Sequence, residues 1–207
     1  MTRAHLADMY ADAPSSGTTG VVRDLADRNS AASDQCRSGN PKQAIPELAA
    51  ILSDCRAVLG PEHPDTLRVA GNLAVACMLA GRRREGLTML VTAVADRSRV
   101  LGDLHPDTLT ARDALAVAYR LSGDVDDALA LSALVTAQRT RVLGPEHPDT
   151  LVSRMGLAMA RSAAGAVESA YAVLTSAIAD AEQALGPNHS HTTALLECGR
   201  HSGLIRR

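Results

Sequence analysis

Histidine is the side chain best suited to proton transfer or metal ligation near neutral pH. Seven occur in this chain of 207 residues. Four of them, His63, His105, His147 and His189, fall in near-copies of one short segment. A zinc ion needs its ligands at about 2 Å. Ligands supplied one per packed helix pair are held about 8–10 Å apart by the helices themselves. The row therefore predicts a structural role, with each ring bonding inside its own loop and ordering the helix that follows. His189-Ser190-His191, with Cys198 and His201 downstream, is the one local group of metal-ligating types. No metal is expected there.

Other reactive side chains read the same way. Asp126-Asp127 opens a helix, where acids complement the dipole. Arg82-Arg83-Arg84 lies in a turn and reads as a solvated basic loop. The sequence has no nucleophile elbow, phosphate loop, zinc-protease motif or dinucleotide fingerprint. The expectation is no catalytic residue, no cofactor and no enzymatic activity. Cys36, Cys55, Cys77 and Cys198 form no Cys-x-x-Cys pair, as expected of reduced thiols in a cytoplasmic protein.

Composition narrows the partners. The net charge is -2, and there are three Tyr but no Phe or Trp. Neither a basic field nor a base-stacking platform is available for nucleic acid. No uncharged apolar run reaches the length of a membrane span, and Asp8, Asp12 and Pro14 interrupt the place of a signal sequence. Lys42 is the single Lys beside twenty Arg, a skew that fits a bacterial genome rich in GC. A core of Ala, Leu, Val and Met suits closely packed helices.

The elements that carry these residues repeat. Leu59-Gly60-Pro61-Glu62-His63-Pro64-Asp65-Thr66-Leu67 returns from Leu101 and from Leu143, and in degraded form from Leu185, a period of 42. Gly39, Gly81, Gly123 and Gly165 keep the same step, as do Ala44, Gly86, Ala128 and Ala170. Within one period, Asp65-Thr66 after Pro64 predicts an N-cap, and an apolar-periodic helix runs to Ala80. Gly81 closes it, and a second helix runs from about Arg83 to Val100. Each unit is a helical hairpin that buries its apolar stripe only against its neighbours.

Leu115-Ala116-Val117-Ala118-Tyr119-Arg120-Leu121-Ser122-Gly123 with Ala128 resembles the tetratricopeptide repeat. The 42-residue period and the Leu-Gly-x-x-His-Pro-Asp-Thr loop resemble its kinesin light chain type, over about residues 21–205. Cys77, Arg161 and Gln35 stand at the place of Tyr119 in the other units. The resemblance implies an all-α, right-handed α-solenoid of stacked antiparallel helix pairs. Units are expected at about 21–64, 65–106, 107–148 and 149–189, with a capping helix over 190–205 that frays or meets a partner near Gly199 and Gly203. Residues 1–20 read as a mobile tail.

In such arrays the first helix of each pair lines a concave groove. Counted from Tyr119, the candidate ligand-binding residues are Arg68, Asn72, Asp113, Arg120, Met155 and Met159. Asn72 matches a position where arrays of this type hold a peptide backbone, whereas Ser30, Ala114 and Gly156 do not. The three donors suit a segment offering carbonyls or a carboxylate. Pairing of Asp113 with Arg68 or Arg120 would cancel part of that charge. Met155 and Met159 suit an irregular ligand, or ordinary helix packing. The implied function is a non-enzymatic scaffold that binds a protein or peptide segment. The alternatives are a small-molecule binder or enzyme of a specialised bacterial pathway on the same scaffold, and a regulatory subunit that self-associates through its terminal helices.

Overall fold

The computed structural model describes residues 20–205. The tail expected over residues 1–20 lies outside that range, apart from Gly20, which opens the first helix. The described residues form helices α1 (Gly20–Arg37), α2 (Pro41–Val58), α3 (Pro64–Leu79), α4 (Arg83–Leu101) and α5 (Pro106–Ser122). Helices α6 (Val125–Leu143), α7 (Pro148–Ala163), α8 (Val167–Leu185) and α9 (Ser190–His201) follow, with no strand among the described residues. This is the all-α solenoid class built from consecutive helix pairs.

The chain divides into two compact units, with the boundary inside α5 between Ala118 and Tyr119. In the first, α1 packs on α2, α2 on α3 and α3 on α4, and α1 also touches α3. Leu48, Ile51, Leu67, Val69, Leu90 and Leu109 are buried there. In the second, α6 packs on α7 and α7 on α8, while α9 packs on both α7 and α8. Its core joins Leu151, Met155, Ala158, Met159, Leu174 and Leu195.

Two turn devices set where each helix starts and stops. Gly39, Gly81, Gly123 and Gly165 have φ between +81° and +95°, the left-handed region that favours Gly. At each, the following amide reaches back over the helix end. Arg82 N donates to Cys77 O at 2.9 Å, and Asp124 N to Tyr119 O at 3.0 Å. This is the six-to-one bond of a Schellman turn.

The other device corrects the expected N-cap. Asp65 and Thr66 are inside the helix, and the cap residue is His63, whose extended backbone puts Pro64 in the first turn. His63 Nδ1 accepts from Asp65 N at 3.2 Å. His105 accepts from Asp107 N and His147 from Asp149 N, both at 3.2 Å, and His189 accepts from His191 N at 3.3 Å. The acceptor role places the ring proton on Nε2. Thr66 serves the loop instead. Its buried hydroxyl donates to Gly60 O at 2.8 Å and ties the helix to the turn before it.

Small residues fix how closely the two helices of a pair approach. Ala44, Ala128 and Ala170 are fully buried at their step of the repeat. At Gly86 the approach is closer still. A Cβ there would lie 2.7 Å from Met78 Cγ and 2.8 Å from both Ala74 O and Met78 N. The C-terminal helix ends in a packed turn. Gly203 turns at φ +72°, Ile205 N donates to Gly199 O at 3.0 Å, and Leu204 joins the core. Gly199 is a packing site, since a Cβ on it would meet Ile205 Cδ1 at 2.5 Å.

Two substitutions test these devices. His105→Ala removes one cap and should cost about 1 kcal/mol, a melting-temperature fall of roughly 2–4 °C, with His105→Asn restoring most of it. Gly86→Ala inserts a methyl against backbone and should cost about 1–3 kcal/mol by denaturant unfolding, although Ala is the better helix former.

Candidate functional site

The predicted groove residues divide between the two units, and their surroundings differ. In the first unit, Arg68 lies on α3 and its guanidinium pairs with Asp65 Oδ1 at 2.7 Å, one turn earlier on the same helix. Its charge is thus engaged within the fold. Asn72, one turn on, is 4% exposed. Its Nδ2 donates to Asn29 Oδ1 at 2.9 Å and to Ser33 Oγ at 3.1 Å, both on α1. Ser33 in turn donates to Asn29 O at 2.8 Å. This buried amide cluster joins the first helices of two successive pairs. It explains the polarity of α1, whose Asn29 and Ser33 are buried although neither is apolar. Asn72 Oδ1 is buried and receives no hydrogen bond. Asp113, on α5, is also buried and engaged by a polar neighbour.

In the second unit, Met155 is 2% and Met159 5% exposed, and both belong to the apolar core with Leu151, Leu174 and Leu195. They fill the space between α7, α8 and α9 rather than offering a free thioether surface. Arg120, near the end of α5, is different. It is partly buried, and its Nη2 is fully covered without a hydrogen-bond partner. Burial pulls its guanidinium below the ordinary arginine value, and the neighbouring Cys198 thiol works weakly in the other direction.

The remaining reactive side chains have quieter roles. All four Cys are free and buried. Burial, reinforced by nearby Cys77, pushes the Cys36 thiol up to about 11, and burial raises Cys198 as well. Such thiols are poor nucleophiles. The His189 and His191 rings stack with centroids 5.3 Å apart. Burial, then the neighbouring His189, lowers the His191 value, which favours the neutral ring. Among the described residues, no three metal-ligating side chains come together.

Two arginines escaped the sequence reading. Arg97 and Arg139 stand 42 residues apart and are 2% and 3% exposed. Arg97 donates to Leu67 O at 2.7 Å, tying α4 to α3. Arg139 donates to Asp149 O at 2.8 Å and to Ser153 Oγ at 3.0 Å, tying α6 to α7. Their shared register was the only signal in the sequence. A charged side chain at a core position is otherwise read as solvated.

Comparison with known proteins agrees with this geometry. A family model described as tetratricopeptide repeat matches residues 69–133. The nearly identical TPR-like repeats of a Podosopora anserina kinesin light chain superpose with a TM-score of 0.70 at 28% identity, covering 87% of each chain. A single-site variant of those repeats gives 0.71 at 28% identity over 90% of each chain. No curated protein sequence matches. The 42-residue helical hairpin, its glycine and histidine turns and these likenesses together support a tetratricopeptide-repeat protein of the kinesin light chain-like type.

Proposed function

We propose that the chain is a non-enzymatic adaptor that binds an extended protein or peptide segment along the faces of its first helices. A repeat of this family is in general a protein-interaction scaffold. The observation that supports its use here is the buried amide cluster of Asn29, Ser33 and Asn72. Buried polar groups cost stability unless they are paired. Asn72 keeps an amide oxygen with no donor. A bound segment supplies backbone N–H groups, and a small shift of the amide brings that oxygen to one of them. The proposed setting is a bacterial cytoplasm, in keeping with the four free thiols and the dominance of Arg over Lys. No described helix is long and apolar enough to cross a membrane.

Selection of a random peptide library on the folded chain, followed by calorimetric titration of an enriched peptide, tests the reading. Asn72→Ala should weaken binding about tenfold, or about 1.4 kcal/mol. Asn29→Ala breaks the same internal hydrogen bond and serves as the stability control. It should lower the melting temperature similarly with a smaller loss of affinity. No enrichment, or equal affinity for Asn72→Ala and the parent, contradicts the proposal.

A further inference from the structure

Helix α6 departs from the usual amphipathic pattern, in which polar residues face water and apolar ones the core. Its inward side buries Ser132 and Arg139, each 3% exposed, beside Ala128 and Val135. Its outward side carries Leu134, 48% exposed, and Ala130, Ala133 and Ala137 are exposed with it. At 100° per residue these four fall within an arc of about 100°, along about 10 Å of helix. Asp126 and Asp127 stand in the first turn, at one end of this apolar stripe, and Arg141 in the last turn, at the other. All three are exposed, and none has an ion-pair partner among the described residues.

The order of these residues is self-complementary. Asp127 and Arg141 each lie seven residues from Leu134, in opposite directions, and Ala130 and Ala137 lie four before it and three after it. A second α6 laid antiparallel, with Leu134 near the two-fold axis, brings its Arg141 to Asp126 and Asp127 of the first copy. The reverse contact forms at the other end, as a two-fold interface requires. The alanines let the two backbones approach to about 8 Å. The equivalent stripes of α4 and α8 lack this form. In α4, Thr88 and Thr92 replace Ala130 and Leu134, and Arg84 and Arg99 stand at the two ends, so an antiparallel copy would set arginine against arginine. In α8, Thr175 and Ser176 replace Ala133 and Leu134, and Gln183 removes the basic end. We propose that the outward face of α6 is a homodimer contact, packed antiparallel on the same face of a second copy of this chain. This goes beyond the adaptor reading and does not depend on it, because it uses the second helix of a pair. One helix against one helix covers less than the roughly 1,200 Å² of a standard interface, so the dimer is weak and reversible.

Sedimentation velocity of the full chain, over a concentration series up to about 1 mM, tests this. The parent should pass from monomer to dimer with a midpoint on the order of 100 µM at low salt. The midpoint should rise with ionic strength as the end charges are screened. Leu134→Glu sets like charges at the axis and should raise the midpoint about tenfold or more, with a melting temperature within roughly 2 °C of the parent. Arg141→Asp leaves acids at both ends and should weaken the dimer about tenfold. Adding Asp126→Arg and Asp127→Arg to that variant exchanges the signs and should return the midpoint toward the parent value, because antiparallel ends again meet as opposites. The exchange opposes the helix dipole, so the melting temperature of this triple variant should fall slightly without abolishing folding. A parent that stays monomeric at about 1 mM overturns the proposal. A dimer indifferent to Leu134→Glu moves the contact to another face and overturns it too. A triple variant no tighter than Arg141→Asp excludes the antiparallel arrangement.

Discussion

Every helix pair in this chain depends on a turn that leaves the backbone no choice of where to stop and start. Glycine at positive φ ends the first helix of a pair, and the amide beyond it closes the last turn. After the second helix, a further glycine and a loop histidine, followed by Pro64, Pro106 or Pro148 and by Ser190 in the last loop, open the next one, with the imidazole Nδ1 accepting from the amide two residues on. Because both devices recur at a step of 42 without slippage, leucines and small residues return to the same place in successive pairs. Leu67, Leu109 and Leu151 are buried for that reason, as are Ala74, Ala116 and Ala158. A residue inserted inside one of the helices would rotate the part that follows by about 100° and turn its apolar stripe away from the core.

With register fixed by the turns, the faces of the first helices are free to carry groups that do not serve the core. The two units use that freedom differently. In the first, an amide cluster consumes most of its own hydrogen-bonding capacity, and Arg68 is tied to Asp65. In the second, Met155 and Met159 have gone into the core, and the covered Nη2 of Arg120 has no hydrogen-bond partner. Buried Arg139 shows that this scaffold can hold an inward arginine with a helix carbonyl and a serine hydroxyl.

The fold was legible because its signals are periodic. Nine helices among the described residues lie within a few residues of the positions marked by the glycines, prolines and leucines. The cap was misread because Asp and Thr are the common capping types, whereas here a histidine ring two residues before Asp65 accepts from its amide. The site was less legible. Spacing told which residues share a helical face, but not which side chains would find partners. Asp65 is three residues from Arg68, so that pair was open to inference. The Asn29–Asn72 bond depends on the offset between two packed helices. The burial of the methionines depends on how closely α9 covers α7 and α8. The gap at Arg120 follows from three-dimensional packing alone.

The claim on which the rest depends is that four loop histidines accept a backbone amide through Nδ1 and carry their proton on Nε2. Two-bond proton–nitrogen correlation spectra of the imidazole rings at about pH 8, where an ordinary histidine is neutral, read that tautomer directly. His63, His105, His147 and His189 should each show an unprotonated, hydrogen-bonded Nδ1 and a protonated Nε2. Protons on Nδ1, or rings averaging between the two tautomers, would contradict the account.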